Sequence, residues 1–104
     1  MEQKLGIKIN DLEDDIVVAV STGSASFAVV KHNGRINVLD GKCSHEGGPL
    51  GEGHVDSGEL ICPWHSGAFE LESGKANDNT PWVTDIRSYR TRVDATTGDV
   101  YVEV

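Results

Sequence analysis

Two short motifs bring together the residue types that bind transition metals. Cys43 and His45 form a Cys-x-His motif, and Cys62 and His65 form a Cys-x-x-His motif, with sixteen residues between His45 and Cys62. Zinc sites of the finger type usually pair Cys with Cys at one end and His with His at the other. Here each motif supplies one thiol and one imidazole. This symmetry favours a binuclear centre held between two loops.

Other interpretations of the four residues remain open. The cysteines could be core thiols beside surface histidines, or all four side chains could hold zinc. One disulfide is also conceivable, but an intracellular chain normally keeps its thiols reduced, so metal ligation is favoured. The two remaining histidines, His32 and His54, match no ligand position, and we expect both to be solvated.

The residues around the motifs carry a resemblance to a known family. After the first motif comes Gly-Gly-Pro-Leu, and the second motif reads Cys-Pro-Trp-His, with Gly-Ala-Phe shortly after it. Over essentially its whole length the chain resembles the Rieske ferredoxins. The resemblance implies one 2Fe-2S cluster, with Cys43 and Cys62 on the inner iron and His45 and His65 on the outer iron.

The resemblance also implies which kind of Rieske protein to expect. High-potential members carry a disulfide between the two ligand loops, at positions that align here with Gly48 and Trp64. They also place a Ser and a Tyr, whose hydroxyls bond to sulfur, where this chain has Gly67 and Phe69. Without those donors the reduced cluster is less stabilised, so we expect a potential near the low end of the Rieske range, about −150 mV. Trp64 is expected to shield the cluster.

Further positions refine this expectation. Glu46 would lower the potential and raise the pKa of the neighbouring imidazole if its carboxylate faces the cluster; an outward, solvated Glu46 would do neither. Ser66 stands where the family commonly has Gly, and its side chain could crowd the cluster or offer a new hydroxyl. Pro81, with Trp82, resembles the proline loop that forms a third wall over the cluster.

The elements that must position these loops are predicted to be strands. Asn33-Gly34 between two apolar runs favours a type I′ hairpin, a short helical turn is possible around Leu12, and the Gly-rich segment 41–58 is expected to be a functional loop region. The pattern therefore predicts an all-β fold, and the resemblance implies a Rieske (ISP-like) domain of antiparallel sheets with a two-loop cluster-binding subdomain. The strand-length runs are Leu5–Ile9, Ile16–Ser21, Ser26–Lys31, Arg35–Leu39, Glu59–Cys62, Ala68–Leu71, Ile86–Asp94 and Val100–Val104.

Length and charge limit the remaining possibilities. The 104 residues predict a single domain, 1–104, and a hydrophobic fraction of 38% is lean enough for a metal centre to help stabilise it. A net charge of −8 disfavours nucleic acid as a partner. The sequence contains no apolar stretch long enough for a membrane span or a signal peptide, so we expect a soluble, cytoplasmic protein. Family resemblance and strong acidity favour a monomer.

The resemblance to the Rieske ferredoxins implies a one-electron carrier with no catalytic activity of its own. Similar Rieske ferredoxins take electrons from a flavin-dependent NAD(P)H reductase and give them to a terminal oxygenase of aromatic-ring dihydroxylation, docking transiently at the tip where His45 and His65 lie. The alternative is a small subunit of a nitrite-reductase-like or other multisubunit oxidoreductase. An oxygenase is disfavoured, because its catalytic iron needs two further His and a carboxylate, and no histidine follows His65.

Overall fold

The computed structural model describes residues 2–23, 25–44, 47–64 and 66–104. In these ranges the chain forms strands and two 3-10 turns, at Ile9–Asp11 and Leu50–Glu52, and contains no α-helix, which confirms the all-β prediction. No helix in the described ranges has the length and apolar character needed to span a bilayer. The strands are β1 (Glu2–Lys8), β2 (Val17–Thr22), β3 (Ala25–His32), β4 (Arg35–Asp40), β5 (His54–Asp56), β6 (Glu59–Ile61), β7 (Ala68–Glu70), β8 (Ser88–Tyr89), β9 (Thr91–Val93) and β10 (Asp99–Glu103).

The strands form three antiparallel sheets. The central sheet has the order β2-β3-β4-β8, a second sheet has the order β1-β10-β9, and a small sheet has the order β5-β6-β7. The whole small sheet lies in the chain segment between β4 and β8. The predicted ligand loops therefore lie in the segment that connects β4 to β8 of the central sheet, residues 41–87, which we call the excursion.

Strand β3 explains how the sheets stack. Four consecutive residues of this strand, from Phe27 to Val30, are buried, and successive side chains point to opposite faces of a sheet. Phe27 packs in a core with residues of β1 and β10, whereas Ala28 packs in a core that includes residues of β6 and β7. The central sheet is thus covered on both faces. We call the core of Ala28 the cysteine core, because Cys43 and Cys62 belong to it, and the core of Phe27 the terminal core.

Local turn chemistry agrees with the sequence at two hairpins. Asn33 and Gly34, between β3 and β4, have φ values of 52° and 77°, the two positive values that a type I′ turn requires. Ser57 and Gly58 repeat this arrangement between β5 and β6, with φ values of 51° and 77°. The predicted hairpin at Asn33-Gly34 is confirmed.

The structure differs from the predicted strands in two places. The run Ile86–Asp94 forms two strands, because the chain passes at Arg90 from the central sheet to the sheet of β9 and β10. The segment 41–58 is not entirely loop, since it contains the turn Leu50–Glu52 and strand β5. The helical turn expected around Leu12 is present just before that residue.

Candidate metal centre

Two loops of the same design carry the predicted ligands. The first ligand loop runs from Cys43 to Gly48, after β4, and the second runs from Cys62 to Gly67, between β6 and β7. In each loop the cysteine N–H donates a hydrogen bond of 2.8 Å to the carbonyl of the closing glycine, five residues on. The two loops thus share this backbone hydrogen bond as well as the pattern of one Cys and one His.

The two thiols are buried next to each other. Cys43 and Cys62 are 4% and 1% exposed, both are free, and both belong to the cysteine core. Burial raises the pKa of the Cys62 thiol to about 11; the Trp64 N–H, 3.4 Å from Sγ, opposes this rise and the neighbouring Cys43 thiol adds to it. Because only the thiolate binds metal, binding here must release a proton.

The remaining predicted ligands lie outside the described residues, as does Glu46. The roles of His45 and His65 therefore remain predictions. Among the described residues, no group of three or more His, Cys, Asp or Glu side chains forms a metal site. The described part of the chain supplies a pair of adjacent thiols on two facing loops, and this pair fits the two-thiolate half of a Rieske centre.

The two positions aligned with the high-potential disulfide are in contact. A Cβ built on Gly48 would lie 3.1 Å from the Trp64 ring and 3.0 Å from the Cys62 sulfur. The indole therefore packs on the Gly48 backbone beside the buried thiol. Trp64 is nevertheless 47% exposed, so it covers the cysteine on one side while presenting its other side to solvent.

The positions aligned with the sulfur-bonding hydroxyls are both tightly packed. A Cβ on Gly67 would lie 2.6 Å from Cγ1 of Val83, closer than real Cβ contacts allow. Phe69 is fully buried in the cysteine core. Val83 therefore occupies the space that a side chain at position 67 would need.

Val83 belongs to the segment that resembles the proline loop, which we call the third loop (77–86). Its first part is bound to β7, since the Asn77 N–H donates to the Ala68 carbonyl at 2.9 Å and the Ala68 N–H to Thr80 Oγ1 at 3.4 Å. Trp82 is 42% exposed. The third loop thus packs against the second ligand loop and presents an aromatic side chain to solvent.

Sequence reasoning missed a connection between the first and third loops. Ser44 Oγ donates a hydrogen bond of 2.7 Å to the Thr84 carbonyl and accepts one of 3.0 Å from the Thr84 N–H. The two residues are forty positions apart, so no local pattern relates them. The position of Ser44 inside the Cys-x-His motif is the one signal that could have drawn attention to it.

The backbone conformation of Ser66 explains why the family commonly has glycine at this position. Its φ is 59°, in the left-handed region that Gly enters without cost and a serine enters with strain. The side chain is exposed.

The two histidines outside the motifs have different surroundings. His54 is exposed in β5. His32 is half-buried, and its Nδ1 lies 2.5 Å from Asp15 Oδ1. His32 is therefore paired rather than simply solvated.

Known sequences match most of the chain. The Rieske 2Fe-2S domain family matches residues 4–90. The chain is 30% identical to human Apoptosis-inducing factor 3 over 86 residues, which are 83% of this chain and 14% of that protein, so it spans about a seventh of the first curated relatives it matches. It is 29% identical, over 83% of its own length and 82% of the relative's, to the ferredoxin component of the naphthalene 1,2-dioxygenase/salicylate 5-hydroxylase systems of Ralstonia.

Solved structures match the whole fold. The ferredoxin of Sphingomonas yanoikuyae B1 superposes with a TM-score of 0.87 at 26% identity, covering 100% of this chain and 99% of that one. A chain from the complex of reduced oxygenase and oxidized ferredoxin in carbazole 1,9a-dioxygenase superposes with a TM-score of 0.85 at 25% identity, covering 97% and 91%.

Proposed function

Because the chain belongs to the Rieske 2Fe-2S family, we propose that it is a one-electron carrier, not catalytic by itself, that serves a terminal oxygenase. A Rieske domain holds one 2Fe-2S cluster, which supplies the uptake and release of a single electron. The observation that carries the proposal is the pair of buried, free thiols of Cys43 and Cys62, adjacent on two loops of the same design.

We propose the same ligand set that the sequence predicts. Cys43 and Cys62 bind the inner iron, and His45 and His65 bind the outer iron. The burial of both cysteines supports this division, because the inner half of the centre then lies within the protein. The backbone N–H of Trp64 donates to the sulfur of Cys62 and stabilises the thiolate form.

The oxygenase partner is inferred from the relatives. Ferredoxin components of naphthalene systems match along most of their length, and a matching structure contains an oxygenase together with its ferredoxin. We propose that this chain, as one domain spanning 1–104, accepts electrons from a flavin-dependent NAD(P)H reductase and docks transiently through the tip that carries His45 and His65. It does so as a monomer in the cytoplasm, without nucleic acid or membrane. A net charge of −8 favours partners with a basic face.

We also propose a low reduction potential for this protein. The resemblance places the disulfide and the two hydroxyl donors of high-potential members at positions that here are Gly48, Trp64, Gly67 and Phe69. Val83 and the Trp64 ring fill the space at two of these positions. With fewer donors to sulfur, the reduced form is less stabilised.

Spectroscopy of the purified reduced protein tests the cluster assignment. We expect two irons and two sulfides per chain, and a low-temperature EPR spectrum whose average g value lies below that of four-Cys clusters, because two imidazoles replace two thiolates. Zinc in place of iron, or a four-Cys type spectrum, would overturn the assignment.

A matched pair of substitutions tests the first histidine. His45→Cys should lower the midpoint potential, since a thiolate adds negative charge at the outer iron. His54→Cys, at an exposed histidine of β5, is the control and should leave the potential unchanged. Equal potentials for His45→Cys and the wild type, with the cluster intact, would show that His45 is not a ligand.

Protein-film voltammetry tests the low potential. We expect a midpoint below zero on the hydrogen scale, near the lower Rieske limit of about −150 mV. A midpoint above about +150 mV would contradict the argument from missing donors.

A further inference from the structure

The third loop is attached to the two ligand loops in different ways. Towards the second ligand loop it uses packing and buried groups, since Val83 contacts Gly67 and the nearly buried Thr80 hydroxyl accepts the Ala68 N–H. Thr80 also donates to the Asn77 carbonyl at 3.0 Å, which fixes its hydroxyl. This attachment is spread over several residues, so no single side chain decides it.

Towards the first ligand loop, one side chain makes the attachment. In the part of the chain that the structure describes, the hydrogen bonds between these loops are the two at Ser44 Oγ, one donated to the Thr84 carbonyl and one accepted from the Thr84 N–H. A single hydroxyl thus satisfies both polar backbone groups of Thr84. Without it, both groups would turn to water and the third loop would lose this connection.

The chain order places this connection beside the metal centre. Ser44 stands between Cys43 and His45, while Thr84 directly follows Val83, which packs with Cys43 and Cys62 in the cysteine core. Any opening of the third loop at Thr84 therefore uncovers the edge of the cysteine core. Solvent access at such an edge is one of the quantities that set the potential of an iron–sulfur cluster.

We propose that Ser44 is a positioning residue, whose hydroxyl holds the third loop closed over the first ligand loop and limits the access of water to the metal centre. The part of this proposal that concerns the cluster rests on the proposed function. The part that concerns the loop does not, because it depends only on hydrogen bonds between described residues.

The test compares three variants of the cluster-loaded protein by hydrogen–deuterium exchange and voltammetry. In Ser44→Ala, we expect the Thr84 amide, followed in a peptide covering 82–86, to exchange roughly tenfold faster. The midpoint potential should rise, because water stabilises the more negative reduced cluster. Ser44→Thr keeps the hydroxyl and should restore both quantities. Ser88→Ala is the matched control, since Ser88 Oγ also donates to a distant carbonyl, that of Glu72 at 2.9 Å.

Several outcomes would overturn the proposal. The proposal fails if Ser44→Ala has the exchange rate and midpoint potential of the wild type. It also fails if Ser44→Thr does not restore both quantities, or if Ser88→Ala changes them as much as Ser44→Ala does. If Ser44→Ala does not fold, Ser44→Thr is compared with Ser44→Val, because valine has the shape of threonine without its hydroxyl. Equal exchange rates in these two variants would overturn the proposal. A wild-type protein without Rieske EPR would instead refute the proposed function, and the exchange data would still decide the role of Ser44 in the loop.

Discussion

Ser66 is a residue whose local conformation conflicts with its type. At a φ of 59° it carries the steric cost that glycine avoids. We predict that Ser66→Gly stabilises the protein by about 0.5–1 kcal/mol, raising the unfolding temperature by a few degrees. Thermal unfolding followed by circular dichroism measures this. Ser21→Gly, at an exposed position in β2, is the control and should destabilise, because glycine weakens a regular strand.

Val83 occupies the space that any side chain at position 67 would need. A Cβ on Gly67 would lie 2.6 Å from Val83 Cγ1, so Gly67→Ser should destabilise by about 1–3 kcal/mol. Val83→Ala also destabilises, because it leaves a cavity, but it makes room for the serine. We therefore predict that the double variant is more stable than the sum of the two losses allows, as measured by a double-mutant cycle in urea. Strict additivity would show that Val83 does not fill this space.

At the scale of elements, Asp40 closes the excursion that carries the proposed metal centre. This residue ends β4, and its carboxylate accepts hydrogen bonds from the Tyr89 hydroxyl at 2.6 Å and from the Arg87 N–H at 2.9 Å. Its own N–H donates to the Arg87 carbonyl at 3.0 Å. The two ends of the excursion are therefore joined to each other at the central sheet.

The closure at Tyr89 predicts a loss of stability at alkaline pH. Burial, together with the hydrogen bond to Asp40 and its charge, raises the Tyr89 pKa above its usual value. The unfolded chain ionises this phenol near pH 10, so the stabilisation is complete below pH 10 and is lost as the pH rises through the raised pKa. Tyr89→Phe should lower the free energy of unfolding by about 1 kcal/mol near pH 8. Between pH 8 and a pH above 10, the variant should lose less stability than the wild type does, because it has no phenol at this position to ionise.

Urea unfolding at a series of pH values measures this effect. Tyr101→Phe removes the other tyrosine hydroxyl and serves as the matched control. The prediction fails if Tyr89→Phe and the wild type lose stability in parallel above pH 10.

The same scale shows what the sequence could and could not predict. Most of the strands follow from short apolar and β-branched runs, and the hairpin at Asn33-Gly34 follows from turn chemistry. The run Ile86–Asp94 was predicted as one strand, because local pattern does not show that the chain changes sheets at Arg90. Strand β5 was hidden by the glycines around it. Family resemblance marked Gly48 and Trp64 as related positions, but it did not predict that the Trp64 ring packs on the backbone of Gly48.

At the scale of the whole molecule, the proposed cluster site belongs to one of the two cores formed by the described residues. Cys43 and Cys62 pack in the cysteine core with residues of β6 and β7, whereas the terminal core joins the other face of the central sheet to β1 and β10. The central sheet separates the two cores. Loss of the metal centre should therefore lower the free energy of local opening more in the cysteine core than in the terminal core.

Removal of the cluster tests this division. In protein stripped of iron by mild acid and a chelator, then returned to neutral pH, we predict that amides of 59–71 exchange at least about tenfold faster than in the loaded protein. Amides of 99–103, in β10, should change by less than about threefold, because Val100 and Val102 pack in the terminal core away from the cysteines. Hydrogen–deuterium exchange with mass spectrometry measures both segments in one sample, so each is the other's control. An equal increase in the two would show that the domain opens as one unit and that the central sheet does not insulate one core from the other.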